Sequence, residues 1–113
     1  MSIERTLTGQ VSRHFLPEGI VDTQNHIYAP DFPAMPGGPG LPIGMPDAKQ
    51  YRKLCSWLGI AKTVITVANA YQRNNDCLLN VLEKFGIDAH GVAAIHPNVN
   101  DKSLTTLIDK GIV

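Results

Sequence analysis

A dipeptide that recurs three times, Gly followed by Ile, most constrains how this chain can fold. Gly59-Ile60, Gly86-Ile87 and Gly111-Ile112 each follow an apolar stripe at helical spacing, and a glycine in that position is typical of a helix C-terminus. The first two dipeptides lead into a short apolar run, and the third leads directly to Val113. The repeat predicts alternating strands and helices, which form a parallel sheet with right-handed crossovers.

The predicted helices have start signals as well as stop signals. Asp47, with Gln50 three residues later, has the pattern of a capping box that opens the first helix. Asn74 or Asn75 is predicted to cap the second helix, and Asn100 the third. The apolar stripes that follow the three caps are Tyr51, Leu54, Cys55 and Leu58; Leu78, Val81, Leu82 and Phe85; and Leu104, Leu107 and Ile108.

Three strands are predicted within 20–28, at 63–67 and at 92–95, and residues 112–113 read as the start of a fourth. A (β/α)8 barrel needs eight strand–helix units and typically about 250 residues. The predicted fold class is therefore α/β, the N-terminal part (about three β/α units) of a (β/α)8 TIM barrel with parallel strands. Residues 1–18 are interpreted as an N-terminal extension and 19–113 as a partial barrel domain cut at the start of strand 4. The alternative, a complete small three-layer α/β domain, leaves a fourth strand of two residues unexplained.

Composition excludes several function classes. The chain has 10 Lys+Arg against 10 Asp+Glu, so no basic field is available to hold nucleic acid or an anionic membrane. The first twenty residues contain no continuous apolar run, so we expect no membrane span and a cytoplasmic location. Cys55 and Cys77 fall in predicted helices without a C-x-x-C spacing, which favours reduced, buried packing residues.

Polar residues at the end of the first predicted strand form the main candidate site. Side chains alternate along a strand, so we expect Asp22, Gln24 and His26 to share a face, at the carboxyl edge where parallel α/β proteins place their chemistry. His26 can serve as a general base, a general acid or a metal ligand. Gln24 can donate its amide to a substrate oxygen or support the Pro/Gly-rich loop at 30–46, and Tyr28 either faces the same mouth or pins that loop.

The ends of the second and third strands repeat this polar pattern. Asn69 and Gln72 suit a polyhydroxylated or sugar-acid ligand, although a βα loop that caps its helix would use the same residue types. Arg73 can pair with a carboxylate, but we expect it to face solvent. His96 again follows a strand. His14 and His90 precede strands, at the end of the sheet associated with stability, and are interpreted as structural.

The segment 21–26, V-D-T-Q-N-H, and the loop 32–42, F-P-A-M-P-G-G-P-G-L-P, resemble the amidohydrolase-2 branch of the amidohydrolase superfamily. The likeness is strongest to its galactarolactone isomerases, with the 2-pyrone-4,6-dicarboxylate lactonases as relatives. The segments 51–60 and 69–75 are similar to the same group, and the resemblance covers nearly the whole chain from Gly19 onward.

This resemblance implies a barrel enzyme that isomerises or hydrolyses sugar-acid lactones, with a small-molecule lactone or sugar acid as its partner. The superfamily binds a divalent metal through an H-x-H motif after strand one. Gln24 replaces the first His, which implies no firm metal requirement and no cofactor, although a divalent metal stays possible. His26 matches the second His, so His26 and Gln24 are the implied catalytic residues. The implied substrate-binding residues are Tyr28, Asn69, Gln72, Asn75 and His96, the last of which departs from the acidic residue that relatives more often carry.

Two alternatives stay open at this point. One is a metal-dependent lactone or amide hydrolase. The other is a catalytically silent fragment or assembly module, because a barrel of three units leaves strand edges and apolar helix faces uncovered and able to self-associate.

Overall fold

The computed structural model describes residues 9–10, 14–45 and 47–113. Strands and helices alternate along it, and the strands form a parallel sheet in the order β1-β2-β3, as the Gly-Ile repeat predicts. Short 3-10 turns follow β2 and α2. The elements are β1 (Val21–Asn25), α1 (Ala48–Leu58), β2 (Lys62–Thr66), α2 (Asp76–Phe85), β3 (Ala89–Val92) and α3 (Asp101–Asp109).

The sheet continues beyond β3. Gly91 in β3 forms a parallel bridge with Ile112. The Gly91 amide donates to the Gly111 carbonyl at 2.9 Å, and the Val113 amide donates to the Gly91 carbonyl at 3.0 Å. Residues 112–113 therefore lie beside β3 as a fourth strand would, which confirms that prediction.

The three helices begin at the residues that the sequence predicted. The Asp47 side chain accepts from the Gln50 amide at 2.8 Å, and the Gln50 side chain accepts from the Asp47 amide at 3.2 Å, so the predicted capping box is present. Asn100 caps α3 through the Ser103 amide at 2.8 Å. At α2 the residue in the cap position is Asn75, whose side chain is bonded elsewhere, and the Asn74 Oδ1 accepts instead from the Asp76 amide at 3.0 Å.

The third strand lies three residues earlier than predicted, at Ala89–Val92 rather than 92–95. The buried face of this strand consists of Ala89 and Gly91, because it lies under α2: a Cβ added at Gly91 would come within 2.8 Å of the Leu82 Cδ1 atom. Small residues are required there by packing rather than by strand propensity. His90, predicted to precede this strand, lies inside it with an exposed side chain. The second strand lies one residue earlier than predicted.

The core lies between the sheet and α2. Ile65 and Ala89 from the sheet are buried against the α2 residues, whose apolar stripe is the predicted one: Leu78, Val81, Leu82 and Phe85, joined by Cys77. Both cysteines are free thiols; Cys77 is buried, as predicted, whereas Cys55 is only half-buried, and burial raises the pKa of each above its usual value.

Residues 1–8 and 11–13 of the predicted N-terminal extension lie outside the described residues. The described Gln10 contributes a backbone carbonyl that accepts from the Trp57 indole at 3.3 Å. No described helix combines the length and the apolar character that crossing a bilayer demands.

Candidate active site

A β-bulge in β1 decides which side chains face the candidate site. Val21 and Asp22 pair with β2 in one register, and Asn25 pairs one residue out of step, so β1 carries an extra residue between Asp22 and Asn25. The extra residue reverses the alternation of faces. The prediction that Asp22 shares a face with Gln24 and His26 is therefore wrong.

Asp22 and Asn25 instead turn toward the same buried hydroxyl on β2. The Asn25 amide nitrogen donates to the Thr63 Oγ1 at 2.8 Å and to the Val64 carbonyl at 3.2 Å. The Tyr51 hydroxyl from α1 donates to the Asp22 carboxylate and lies 3.1 Å from the Thr63 Oγ1. Burial, and then the hydrogen bond to Asp22, raise the pKa of Tyr51 above its usual range. This polar cluster fixes the bulge and leaves Gln24 and His26 exposed.

His26 is held in one tautomer. Its Nδ1 lies 2.9 Å from the Thr66 carbonyl at the end of β2. A carbonyl oxygen only accepts, so Nδ1 must carry the hydrogen, and the Nε2 of the neutral ring presents a lone pair. The exposed nitrogen of His26 is therefore a hydrogen-bond acceptor or base.

His96 has the opposite arrangement. The Asn98 amide donates to its Nδ1 at 3.1 Å, so the neutral ring carries its hydrogen on Nε2 and presents a donor. His26 follows β1 and His96 follows β3, at the carboxyl edge of the same sheet. Two strand spacings separate β1 from β3, about 10 Å. The edge thus offers one imidazole acceptor and one imidazole donor, a distinction that the sequence alone did not give.

Tyr71 joins the loops after β1 and β2 and was not predicted. Its side chain is 1% exposed, and its hydroxyl accepts from the Ala29 amide at 3.1 Å and approaches the Ala29 carbonyl at 3.4 Å. Burial raises the pKa of Tyr71 to about 12. The Tyr28 ring packs on the Tyr71 ring with centroids 6.1 Å apart. The only sequence signal was a tyrosine within an alanine-rich run.

A separate groove of about 780 Å³ collects the polar residues that follow β2. Asn69 and Gln72 both line it, and Arg73 lines it with an exposed side chain. Its lining residues are Met35, Asn69, Gln72, Arg73, Asn74, Asp76 and Ala94, so Gln24, His26, Tyr28 and His96 lie outside it.

The Asn75 side chain is hydrogen-bonded to the backbone just beyond the end of β3. Its Nδ2 donates to the Ala94 carbonyl at 2.8 Å, and its Oδ1 accepts from the Ala94 amide at 3.0 Å. This reciprocal pair takes the backbone groups that would otherwise extend β3, which explains why the strand ends at Val92. Asn69, in contrast, makes no side-chain hydrogen bond within the described part of the chain and its amide faces the groove.

The residues at the end of β1 do not reproduce an H-x-H metal pair. Within the described ranges, no three His, Cys, Asp or Glu side chains converge. At the strand-one motif, Gln24 offers a neutral amide, a poor zinc ligand, and only His26 offers an imidazole.

The chain is similar in sequence and in fold to known proteins. The chain is 43% identical over 110 residues to the D-galactarolactone isomerase of Agrobacterium fabrum, a match that covers 96% of the chain. It spans only 38% of the length of that curated relative. No family model matches the chain.

Solved structures show the same fold. An apo structure from Agrobacterium tumefaciens superimposes with a TM-score of 0.90 at 43% identity, over 96% of this chain and 39% of that one. A probable 2-pyrone-4,6-dicarboxylic acid hydrolase from Acinetobacter baumannii, with citric acid bound, gives a TM-score of 0.79 at 17% identity, over 84% of this chain and 36% of that one. The three β/α units thus form the N-terminal part of a (β/α)8 barrel, and the chain belongs to the amidohydrolase superfamily, in its amidohydrolase-2 branch.

Proposed function

We propose that the protein containing these residues isomerises or hydrolyses a sugar-acid lactone. The observation that carries this proposal is the 43% identity to a D-galactarolactone isomerase over 110 residues. The polar carboxyl edge of the sheet supports it independently, because that edge is where barrel enzymes place their chemistry. Free thiols, one of them buried, support a reducing, cytoplasmic location.

The proposed reaction is attack of a hydroxyl on the lactone carbonyl, with the ring oxygen as the leaving group. In isomerisation the attacking hydroxyl belongs to the substrate, and in hydrolysis it belongs to water. The Nε2 lone pair of His26 suits acceptance of a hydrogen bond from that hydroxyl, and the Thr66 carbonyl holds the ring in the required tautomer.

Gln24 then supplies the donor for the oxygen that becomes negative. Its side-chain N–H groups are able to stabilise a developing oxyanion, a contribution of roughly 3–4 kcal/mol per donor in known oxyanion holes. His96 presents an N–H in its neutral form and suits a substrate hydroxyl or carboxylate. Tyr28 and Asn69 complete the proposed direct contacts, whereas Gln72 and Asn75, whose amides are already bonded within the protein, would shape the site from behind.

Product analysis tests the class of reaction. The full protein is incubated with a galactarolactone and the products are followed by proton NMR. A lactone with a shifted ring position indicates isomerisation, and the open acid indicates hydrolysis. Conversion no faster than in buffer alone would refute the proposal for this lactone class.

A second candidate, an assembly module, is favoured by one observation. Val21 and Ile95 are each 44% exposed and Val92 is 39% exposed, although all three lie in or beside the sheet. Such apolar surface favours association with a second copy or with the remainder of a barrel. Sedimentation of the 113-residue chain is expected to show dimers or larger species, and a stable monomer would contradict this candidate.

A further inference from the structure

Gln72 has a backbone conformation that glutamine rarely adopts. It is the one non-glycine residue of the described ranges with a positive φ, at φ 50° and ψ −116°. A strained conformation of this kind persists only where the surrounding contacts hold it in place. The contacts of the Gln72 side chain therefore indicate which interactions hold this backbone conformation in place.

Those contacts lie on the Pro/Gly-rich loop. The Gln72 Nε2 donates to the Pro36 carbonyl at 3.0 Å. A Cβ added at Gly38 would come within 2.7 Å of the same nitrogen and within 3.6 Å of the Gln72 Cδ. The amide of Gln72 thus lies against the bare backbone of Gly38, and an added Cβ would displace that amide from its present position.

Two further bonds fix the same loop to the segment after β2. The Met35 amide donates to the Ala70 carbonyl at 2.9 Å, and the Asn74 Nδ2 lies 3.6 Å from the Met35 sulfur. Met35 lines the groove that holds Asn69 and Gln72. Met35 is therefore the part of the loop that lines the groove, and Gln72 anchors the loop next to it.

We propose that Gln72 is a positioning residue: through its bond to Pro36 and its contact with Gly38 it holds residues 35–38 in place, and with them Met35 in the groove beside Asn69, where part of the lactone would bind. The expected effect on catalysis rests on the proposed function, whereas the contact between Gln72 and the loop does not. Gln72 acts through the loop rather than through direct recognition of the substrate.

The matched pair Gly38→Ala and Gly40→Ala tests the structural part in the full protein. At Gly40 an added Cβ meets no atom within 4 Å, whereas at Gly38 it collides with the Gln72 amide. Hydrogen exchange at the Met35 amide is the measurement, since that amide reports the loop's attachment to Ala70. Gly38→Ala is expected to accelerate exchange about 5- to 30-fold, and Gly40→Ala less than twofold. Equal rates in the two variants would overturn the proposal.

A double-mutant cycle shows whether the Gly38 effect acts through Gln72. Gln72→Ala removes every Gln72 atom that the new Cβ would meet. Adding Gly38→Ala to Gln72→Ala should therefore change the exchange rate no further. Independent, multiplicative effects of the two substitutions would contradict the proposed contact.

Steady-state kinetics separate this inference from the proposed function. Gln72→Glu keeps the shape of the side chain but turns a carboxylate oxygen toward the Pro36 carbonyl, and it should raise KM about 5- to 30-fold with a smaller change in kcat. Failure of the wild-type protein to convert the lactone refutes the proposed function and leaves the exchange result to judge the loop contact. Faster exchange in the Gly38→Ala variant, together with an unchanged KM in the Gln72→Glu variant, refutes the role of the loop in the site.

Discussion

Asn75→Ala should destabilise the protein far more than the same substitution at Asn69. Asn75 makes two hydrogen bonds to the backbone of Ala94, at 2.8 and 3.0 Å, and both groups of Ala94 lose their partner when the amide is removed. Each bond contributes about 1 kcal/mol net, and Ala94 is only half-buried, so water replaces part of the loss. The expected decrease in the free energy of unfolding is about 2 kcal/mol.

Urea denaturation followed by the fluorescence of the single tryptophan of this sequence, Trp57, measures this difference. Asn69→Ala removes an exposed amide that has no hydrogen-bond partner among the residues that the structure describes, and it should change the free energy of unfolding by less than about 0.5 kcal/mol. Asn75→Asp keeps the acceptor for the Ala94 amide but loses the donor, so its effect should be about half. Equal midpoints for the Asn75→Ala and Asn69→Ala variants would refute the reasoning that Asn75 terminates β3.

Two further predictions concern stability. Asp47→Ala removes the capping box of α1 and should lower the free energy of unfolding by about 1 kcal/mol in thermal unfolding; a loss no larger than that of Ser56→Ala on the same helix would contradict this. Burial raises the pKa of Tyr71 to about 12 from an ordinary 10.0, so its contribution to stability is complete below pH 10 and falls as the pH rises toward 12. Tyr71→Phe should flatten that alkaline decline in a pH series of urea midpoints, and an unchanged slope would show that Tyr71 is not its source.

The parts of the fold that depend on local chemistry could be predicted from sequence. The capping box needs only Asp47 and Gln50, which lie within four consecutive positions of the chain. The apolar stripe of α2 needs only helical spacing. The position of β3 could not be predicted in the same way. Gly91 is required by Leu82 and Ile112, residues whose proximity exists only after folding.

The candidate site likewise contains features that the local sequence predicts and features that depend on residues distant in the chain. The position of His26 after β1 follows from the sequence, because the strand and its polar end are adjacent in the chain. Its tautomer depends on Thr66, 40 residues away. The bulge that separates Asp22 from Gln24 depends on Thr63 and on the Tyr51 hydroxyl, so alternation along the strand predicted the wrong face for Asp22.

The central claim is that the carboxyl edge of the sheet is a lactone site in which His26 is the base. The turnover of the His26→Ala variant tests this claim most directly. The full protein, its His26→Ala variant and a matched His90→Ala variant are compared on one galactarolactone at saturating concentration. His90 lies exposed within β3 and has no assigned role, so it controls for the loss of an imidazole. A decrease in kcat of about 100-fold or more for His26→Ala, with near wild-type kcat for His90→Ala, is the predicted result. Equal kcat values for the two variants would contradict the claim.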